Sequence, residues 1–151
     1  MATIRQYICK KCPPNNAGSL FDALLKNARG ESVKCRRCNT PYESLRLKFD
    51  FGLGATNSEC TVLDCFTPGR IQHWRDGKNR KVCFYPFLVI VKRHGKENAV
   101  WLPYWHLVTK GKKLIKKYGQ WAPFMDSHLF QDLLQQAKKR GYYRLPNKAN
   151  K

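Results

Sequence analysis

Acidic side chains are scarce in this sequence: 10 Asp and Glu stand against 29 Lys and Arg in 151 residues, a formal charge of +19. So few acids are slender material for a two-metal hydrolytic site. Glu59, Asp64 and Asp76 with His73 or His94 supply the residue types of a metal-dependent nuclease, but no nuclease motif joins them. Long apolar runs are also missing, and no window approaches the roughly 18 uninterrupted apolar residues of a membrane helix. The polar start Met1-Ala2-Thr3-Ile4-Arg5-Gln6 lacks the apolar stretch of a secretory signal. The expectation is a soluble protein of the cytoplasm, nucleoid or nucleus, not secreted and with no membrane partner. A content of 42% hydrophobic and 13% aromatic residues excludes disorder throughout. The length suits one ordinary domain or two small ones, not a large multidomain enzyme.

Positive charge is what the chain has in excess. Residues 1–54 carry a net +6, 55–109 a net +4 and 110–151 a net +9. Such a charge destabilises a compact body by self-repulsion and is tolerated beside a polyanion, so nucleic acid is the expected partner. An anionic membrane would more usually be met by one strong amphipathic basic helix.

Seven cysteines stand at 9, 12, 35, 38, 60, 65 and 83. The first four form Cys9-Lys-Lys-Cys12 and Cys35-Arg-Arg-Cys38, two pairs whose two-residue spacing lets a tight turn aim both sulfurs at one ion. Cys9, Cys12, Cys35 and Cys38 are therefore expected to close a tetrahedron around one structural zinc, with iron the competitor that the same thiolates admit. Nothing beside them supplies the Glu or His of a water-activating centre. Disulfides are disfavoured by the odd cysteine count, and a redox pair needs no second copy. Cys60, Cys65, His73 and Cys83 contain the types for a second metal site, but spacings of four, seven and nine make no knuckle, and a strand cysteine is usually a small buried hydrophobe.

From Tyr7 to about Asp50, through Tyr7-Ile8-Cys9-Lys10-Lys11-Cys12-Pro13 and Val33-Lys34-Cys35-Arg36-Arg37-Cys38, the chain resembles the zinc-ribbon and rubredoxin-like families. The resemblance implies a small metal-stabilised module of the kind that binds nucleic acid or docks to protein. It departs from the family pattern where Pro13 and Asn39 replace the glycine that commonly follows a knuckle, although Asn tolerates a left-handed turn. It departs again where 20–28 reads as an inserted helix, with Leu20, Phe21, Leu24, Leu25 and Ala28 on one face, Ser19 as cap and Gly30 as stop. Lys10, Lys11, Arg36 and Arg37 inside the pairs serve both to reach phosphate and to offset the charge of a metal tetrathiolate.

Downstream, Ser44–Phe51 alternates apolar and polar residues, and Gly52-Leu53-Gly54-Ala55-Thr56-Asn57-Ser58 reads as a linker. Further strands are predicted from Thr61 to Phe66, Gly69 to Trp74, Val82 to Arg93 and Ala99 to Val108, with Pro86 confined to an edge or bulge. The fold class is α+β: residues 1–54 form a zinc-ribbon-like module and residues 55–151 a β-rich domain, a small SH3-like or tudor-like barrel with a C-terminal helix. Ser127 is expected to cap that helix, with Leu129, Phe130, Leu133, Leu134 and Ala137 on its inner face and Lys138-Lys139-Arg140-Gly141 at its end. The pattern Leu-Phe-x-x-Leu-Leu-x-x-Ala occurs at 20–28 and 129–137, as it would in any two short helices covering a sheet.

Three basic groups are expected to meet nucleic acid: the four knuckle cations; the turn carrying Trp74, Arg75, Lys78, Arg80 and Lys81; and the run carrying Lys110, Lys112, Lys113, Lys116 and Lys117. Most rings of the middle region are expected in the core and about a third at the surface, with Trp74 the foremost exposed candidate. The function expected is that of a non-catalytic, zinc-containing nucleic-acid-binding accessory protein for RNA or DNA, its contacts dominated by phosphate, with stacking of unpaired bases on exposed rings as a source of selectivity. The alternatives are a protein-docking adaptor in a larger nucleoprotein complex and a small nuclease.

Overall fold

A computed structural model describes residues 3–5, 11–12, 19–35, 37–41, 45–50, 58–93, 98–119 and 126–142. It is α+β and β-rich, with two sheets of antiparallel strands and two helices. The alternating segment becomes β2 (Leu45–Asp50), which pairs with β1 (Thr3–Arg5) and β3 (Ser58–Phe66). The expected boundary after residue 54 thus falls between two strands that are neighbours in one sheet. Linker residues 52–57 lie outside the described residues.

The two longest expected strands form a single hairpin with a corner in it. β5 (Lys81–Pro86) runs through Phe87 into β6 (Leu88–Arg93), and β7 (Asn98–Trp101) runs through Leu102 and Pro103 into β8 (Tyr104–Lys110). One register spans the hairpin, from Val82 opposite Val108 to Lys92 opposite Asn98, and at the corner the Phe87 N–H donates to the Pro103 carbonyl at 2.8 Å. Beyond the corner the partners diverge. β6 and β7 complete a sheet of order β1-β2-β3-β6-β7, whereas β5 and β8 join β4 (Gln72–Arg75) and β9 (Lys113–Tyr118) in the order β4-β5-β8-β9. Pro86 lies past Phe84, the last β5 residue that β4 reaches, so its missing N–H costs no ladder bond. The Thr67 hydroxyl caps the Pro86 carbonyl on that open side at 3.3 Å.

The strand expected from Gly69 begins only at Gln72. Its first residues are tied to the C-terminal helix α2 (Ser127–Lys139) instead: the Gly69 N–H donates to the Asp132 carboxylate at 2.9 Å and Gln136 Nε2 to the Thr67 carbonyl at 3.1 Å.

The run Leu88-Val89-Ile90-Val91 is apolar throughout because β6 is buried on both faces. Val89 and Val91 face α1 (Leu20–Ala28), whereas Leu88 and Ile90 face α2. A bulge at Leu63 shifts the β3 register by one residue, which leaves Cys60, Val62 and Cys65 toward α1 and turns Asp64 and Phe66 toward α2. Phe21 of α1 enters the corner edge-on to Tyr85, Phe87 and Trp105, with ring centroids 5.1, 5.8 and 5.6 Å away. A backbone close approach ends β9: the Tyr104 ring lies where a side chain on Gly119 would sit, and the Gly119 N–H donates to the Tyr104 carbonyl at 2.9 Å.

The helix signals hold at α1, where the Ser19 hydroxyl accepts from the Asp22 N–H at 3.4 Å and Gly30 takes φ +72°. They need two corrections at α2. Asp126 is the N-cap residue and Ser127 the first helical one, and the Asp126 carboxylate accepts from Gln72 Nε2 instead of capping. Leu129, Leu133 and Ala137 form the buried stripe at four-residue intervals, while Phe130, one step around the helix, is 38% exposed. Among the described residues no helix is long and apolar enough to cross a membrane.

Leu133 is 0% exposed, so Leu133→Ala should lower the unfolding free energy by about 2–5 kcal/mol. Phe130→Ala should change it by no more than about 0.5 kcal/mol. Urea denaturation of the two variants checks this, and equal losses would contradict the packing of α2.

Candidate metal centre and basic surface

After α1 the chain turns back at Gly30, Val33 packs against the core, and Lys34 bridges Pro41. Between them the Cys35 N–H donates to the Thr40 carbonyl and the Asn39 N–H to the Cys35 carbonyl, both at 2.9 Å. Asn39 takes φ +54°, the left-handed conformation that asparagine tolerates. This turn carries Cys35 and Cys38 to Cys12. The Cys12 and Cys35 sulfurs are 3.9 Å apart, and those of Cys12, Cys35 and Cys38 all lie within 4.8 Å of one another. A disulfide needs about 2.05 Å, whereas a tetrahedral thiolate site with metal–sulfur bonds of about 2.3 Å has sulfur–sulfur edges of about 3.8 Å. The separations are those of ligands around an ion. Cys38 Sγ lies 3.2 Å from Thr40 Oγ1, so with sulfur as thiolate the hydroxyl donates, a bond that orients a ligand from outside its coordination shell.

Three of the four expected ligands are therefore placed to hold a metal ion, the one such cluster among the described residues. Cys9 lies outside those residues, as do Lys10 and Arg36; Lys11 and Arg37 are exposed beside the sulfurs. Cys60, Cys65, His73 and Cys83 are not gathered. Cys60 and Cys65 belong to the core under α1, where burial first and the Asp64 carboxylate second push the Cys65 thiol far above its ordinary range. Cys83 faces His73 across the β4–β5 pair at 3.9 Å, and burial outweighs nearby Lys81 in raising its thiol.

The basic run 110–117 folds as the β8–β9 hairpin, turning at Gly111 with φ +58°. Residues opposite one another in antiparallel strands share a face. The rows Trp74, Val82, Val108, Ile115 and Gln72, Phe84, His106, Lys117 put Trp74, His106, Lys110, Lys113 and Lys117 on one face, with Lys112 in the turn. Lys116 faces the other way, where its ammonium donates to Asp22 Oδ1 at 2.5 Å and stands 5.2 Å from the centroid of the Phe21 ring. The run is thus split, with one lysine binding the hairpin to α1. Because β9 is an edge strand, its lysines also discourage edge-to-edge pairing.

Trp74 is 39% exposed, and His106 meets its ring at 86° with centroids 5.5 Å apart. Burial first and the Lys117 charge second hold the His106 pKa below its ordinary value, which favours the neutral ring. In the turn after Trp74, Asp76 accepts from the backbone N–H groups of Lys78 and Arg80 and pairs with the Arg80 guanidinium at 2.6 Å. The Arg80 hydrogen bonds keep the Asp76 carboxyl below the usual carboxylate range. Arg75 Nη1 donates to the Asn79 carbonyl at 3.0 Å. Arg75 and Arg80 therefore brace the turn, while Lys78 and Lys81 project from it. Asp64, 7% exposed, binds Arg140 Nη1 at 3.0 and 3.3 Å and its neighbour's N–H at 2.9 Å. The sequence signal for that pair is a lone acid in an apolar strand; its partner, 76 residues away, carries none.

Compared with protein-family models, curated proteins and solved structures, the chain matches none of them. What the structure supports of the 7–50 segment is a cluster of three cysteines that could hold a metal ion.

Elemental analysis of the purified protein should find a metal ion that Cys12→Ser, Cys35→Ser or Cys38→Ser abolishes and Cys83→Ser retains; metal kept by all four variants would refute the cluster as its holder. A second expectation separates two neighbouring lysines. Lys116→Ala removes an ion pair and a ring contact worth together about 1 kcal/mol, whereas Lys113→Ala should fall within about 0.5 kcal/mol of the parent, as thermal unfolding can measure.

Proposed function

We propose that the protein is a non-catalytic, zinc-containing accessory protein that binds nucleic acid, RNA or DNA, chiefly through phosphate. The observation that carries this reading is the +19 charge together with the gathering of exposed Lys110, Lys112, Lys113 and Lys117 on one hairpin. Each cation that replaces a condensed counterion adds affinity and salt dependence without reading sequence. Lys11, Arg37, Lys78 and Lys81 are further exposed cations. Zinc is the metal best suited to a closed set of soft thiolates, with Cys9 as fourth ligand, and its binding free energy helps fold a segment too short to bury much core. The barrel-like reading of the β-rich part draws support from the corner at Phe87 and Pro103, where one hairpin serves two sheets.

A second reading, a protein-docking adaptor in a nucleoprotein complex, is favoured by two exposed aliphatic side chains on edge strands, Val100 at 56% and Leu114 at 51%. A small nuclease has less to draw on, since Asp64 is bound to Arg140 and Asp76 to Arg80.

Salt separates the first two readings. Binding to a labelled oligonucleotide should weaken linearly in log–log form as salt rises, and Lys113→Gln or Lys117→Gln should each reduce the slope by about 0.9 on duplex DNA or 0.7 on a single strand. Absence of binding to RNA and DNA at low salt would sink the proposal in favour of the adaptor. Divalent-dependent cleavage would favour the nuclease.

A further inference from the structure

Trp74 stands on β4, an edge strand, with its ring partly open to solvent although a ring of that size usually enters a core. The ring is not loose. His106 props it nearly perpendicularly, and His106 is itself set among the rings of Phe84 and Tyr104, with centroids 5.8 and 5.5 Å away. Directly across from His106 lies Lys117, with Lys113 on the same face of β9 and Lys110 opposite Lys113. The exposed groups of this row, Trp74 on β4 and the lysines of β8 and β9, thus rim a centre in which Val82, Phe84 and Val108 are buried, Phe84 packing with Tyr104 and Leu129 of α2. Three strand spacings of about 4.8 Å put the ends of this row about 14 Å apart. The one lysine of the hairpin that Asp22 holds, Lys116, is on the opposite face.

A duplex uses the cations of such a face but not the ring, because its base faces are already stacked on one another and only base edges and phosphates are presented. An unpaired strand uses both, stacking a base on the ring while neighbouring phosphates meet the cations. We infer that this face of the four-stranded sheet binds an unpaired nucleic-acid strand, with a base stacked on Trp74 and adjacent phosphates held by Lys117, Lys113 and Lys110. The inference rests on the proposed nucleic-acid binding and adds its substrate class and the residue that selects it.

Fluorescence anisotropy at fixed low salt, with a labelled single-stranded oligonucleotide and a duplex of equal length, tests it on the full chain. The wild type should prefer the single strand. Trp74→Ala should weaken single-strand binding about 5- to 150-fold, the range for loss of one stacked base, and leave duplex binding within about twofold. Trp74→Phe should recover most of the loss, and Lys117→Gln should weaken both polymers. Circular dichroism reports whether each variant folds. If Trp74→Ala does not fold, Trp74→Phe against Trp74→Leu decides, because leucine keeps the bulk and lacks the π face. Salt-sensitive binding that survives Trp74→Ala unchanged, or falls equally for both polymers, would overturn the stacking site and leave nucleic-acid binding standing. Failure of the wild type to bind either polymer would remove the underlying proposal instead.

Discussion

At Phe87 the backbone N–H donates to the Pro103 carbonyl, and this bond keeps one hairpin ladder continuous while its two halves enter different sheets. Neither half can be shifted without the other, because a one-residue slip in an antiparallel pair turns every side chain to the opposite face. The same register therefore sets Val89 and Val91 toward α1, Leu88 and Ile90 toward α2, and His106 beside Trp74. Phe87, with no exposed surface, fills the inside of the corner and receives Phe21, Tyr85 and Trp105 around it. The two prolines beside the corner stand where a missing donor is tolerated, Pro86 beyond the end of β4 and Pro103 as acceptor of the Phe87 bond.

The cysteine cluster and the β-rich part are joined by α1. Phe21, Ala23 and Leu24 bury the helix in the main core, and the bond between Asp22 and Lys116 fastens its outer side to β9. In an isolated ribbon, metal binding supplies most of the folding free energy. Here the helix between the cysteine pairs already has apolar partners, so a metal held by the cluster would act on the segment that brings Cys12 to Cys35 and Cys38. The hairpin whose lysines face phosphate in our reading is thus held at its back by the helix that the cysteine pairs enclose.

Much of the fold was legible in residue patterns because those patterns are local. Ser19, the apolar positions of 20–28 and Gly30 state a helix with both its ends, and α1 has them. The two CxxC pairs state a metal site, and three of the four sulfurs meet at ligand spacing. The strands expected at 82–93 and 99–108 pair as one hairpin. What stayed hidden was of two kinds. Lysines at Lys113, Lys116 and Lys117 masked the period of β9, which reads as a charge run until its face-by-face environment is known. Phe130 looked like a core residue because a helical stripe drawn from sequence has no sharp edge, and the neighbouring sheet decides where it ends.

The charge, the two cysteine pairs, both ends of α1 and the positions of most strands could be read from residues within a few places of one another. The tertiary structure decided which cations remain available: Arg75 and Arg80 brace their own turn, Lys116 binds Asp22 of α1, and Lys110, Lys113 and Lys117 share a face with Trp74. That face exists only once β4, β5, β8 and β9 are in register. The bulge at Leu63, which hands Asp64 to Arg140, likewise has meaning only against the partner strand. A side chain's partner is set by the pairing of distant segments, and that pairing is chosen by the burial of the whole core, not by the residues on either side of it.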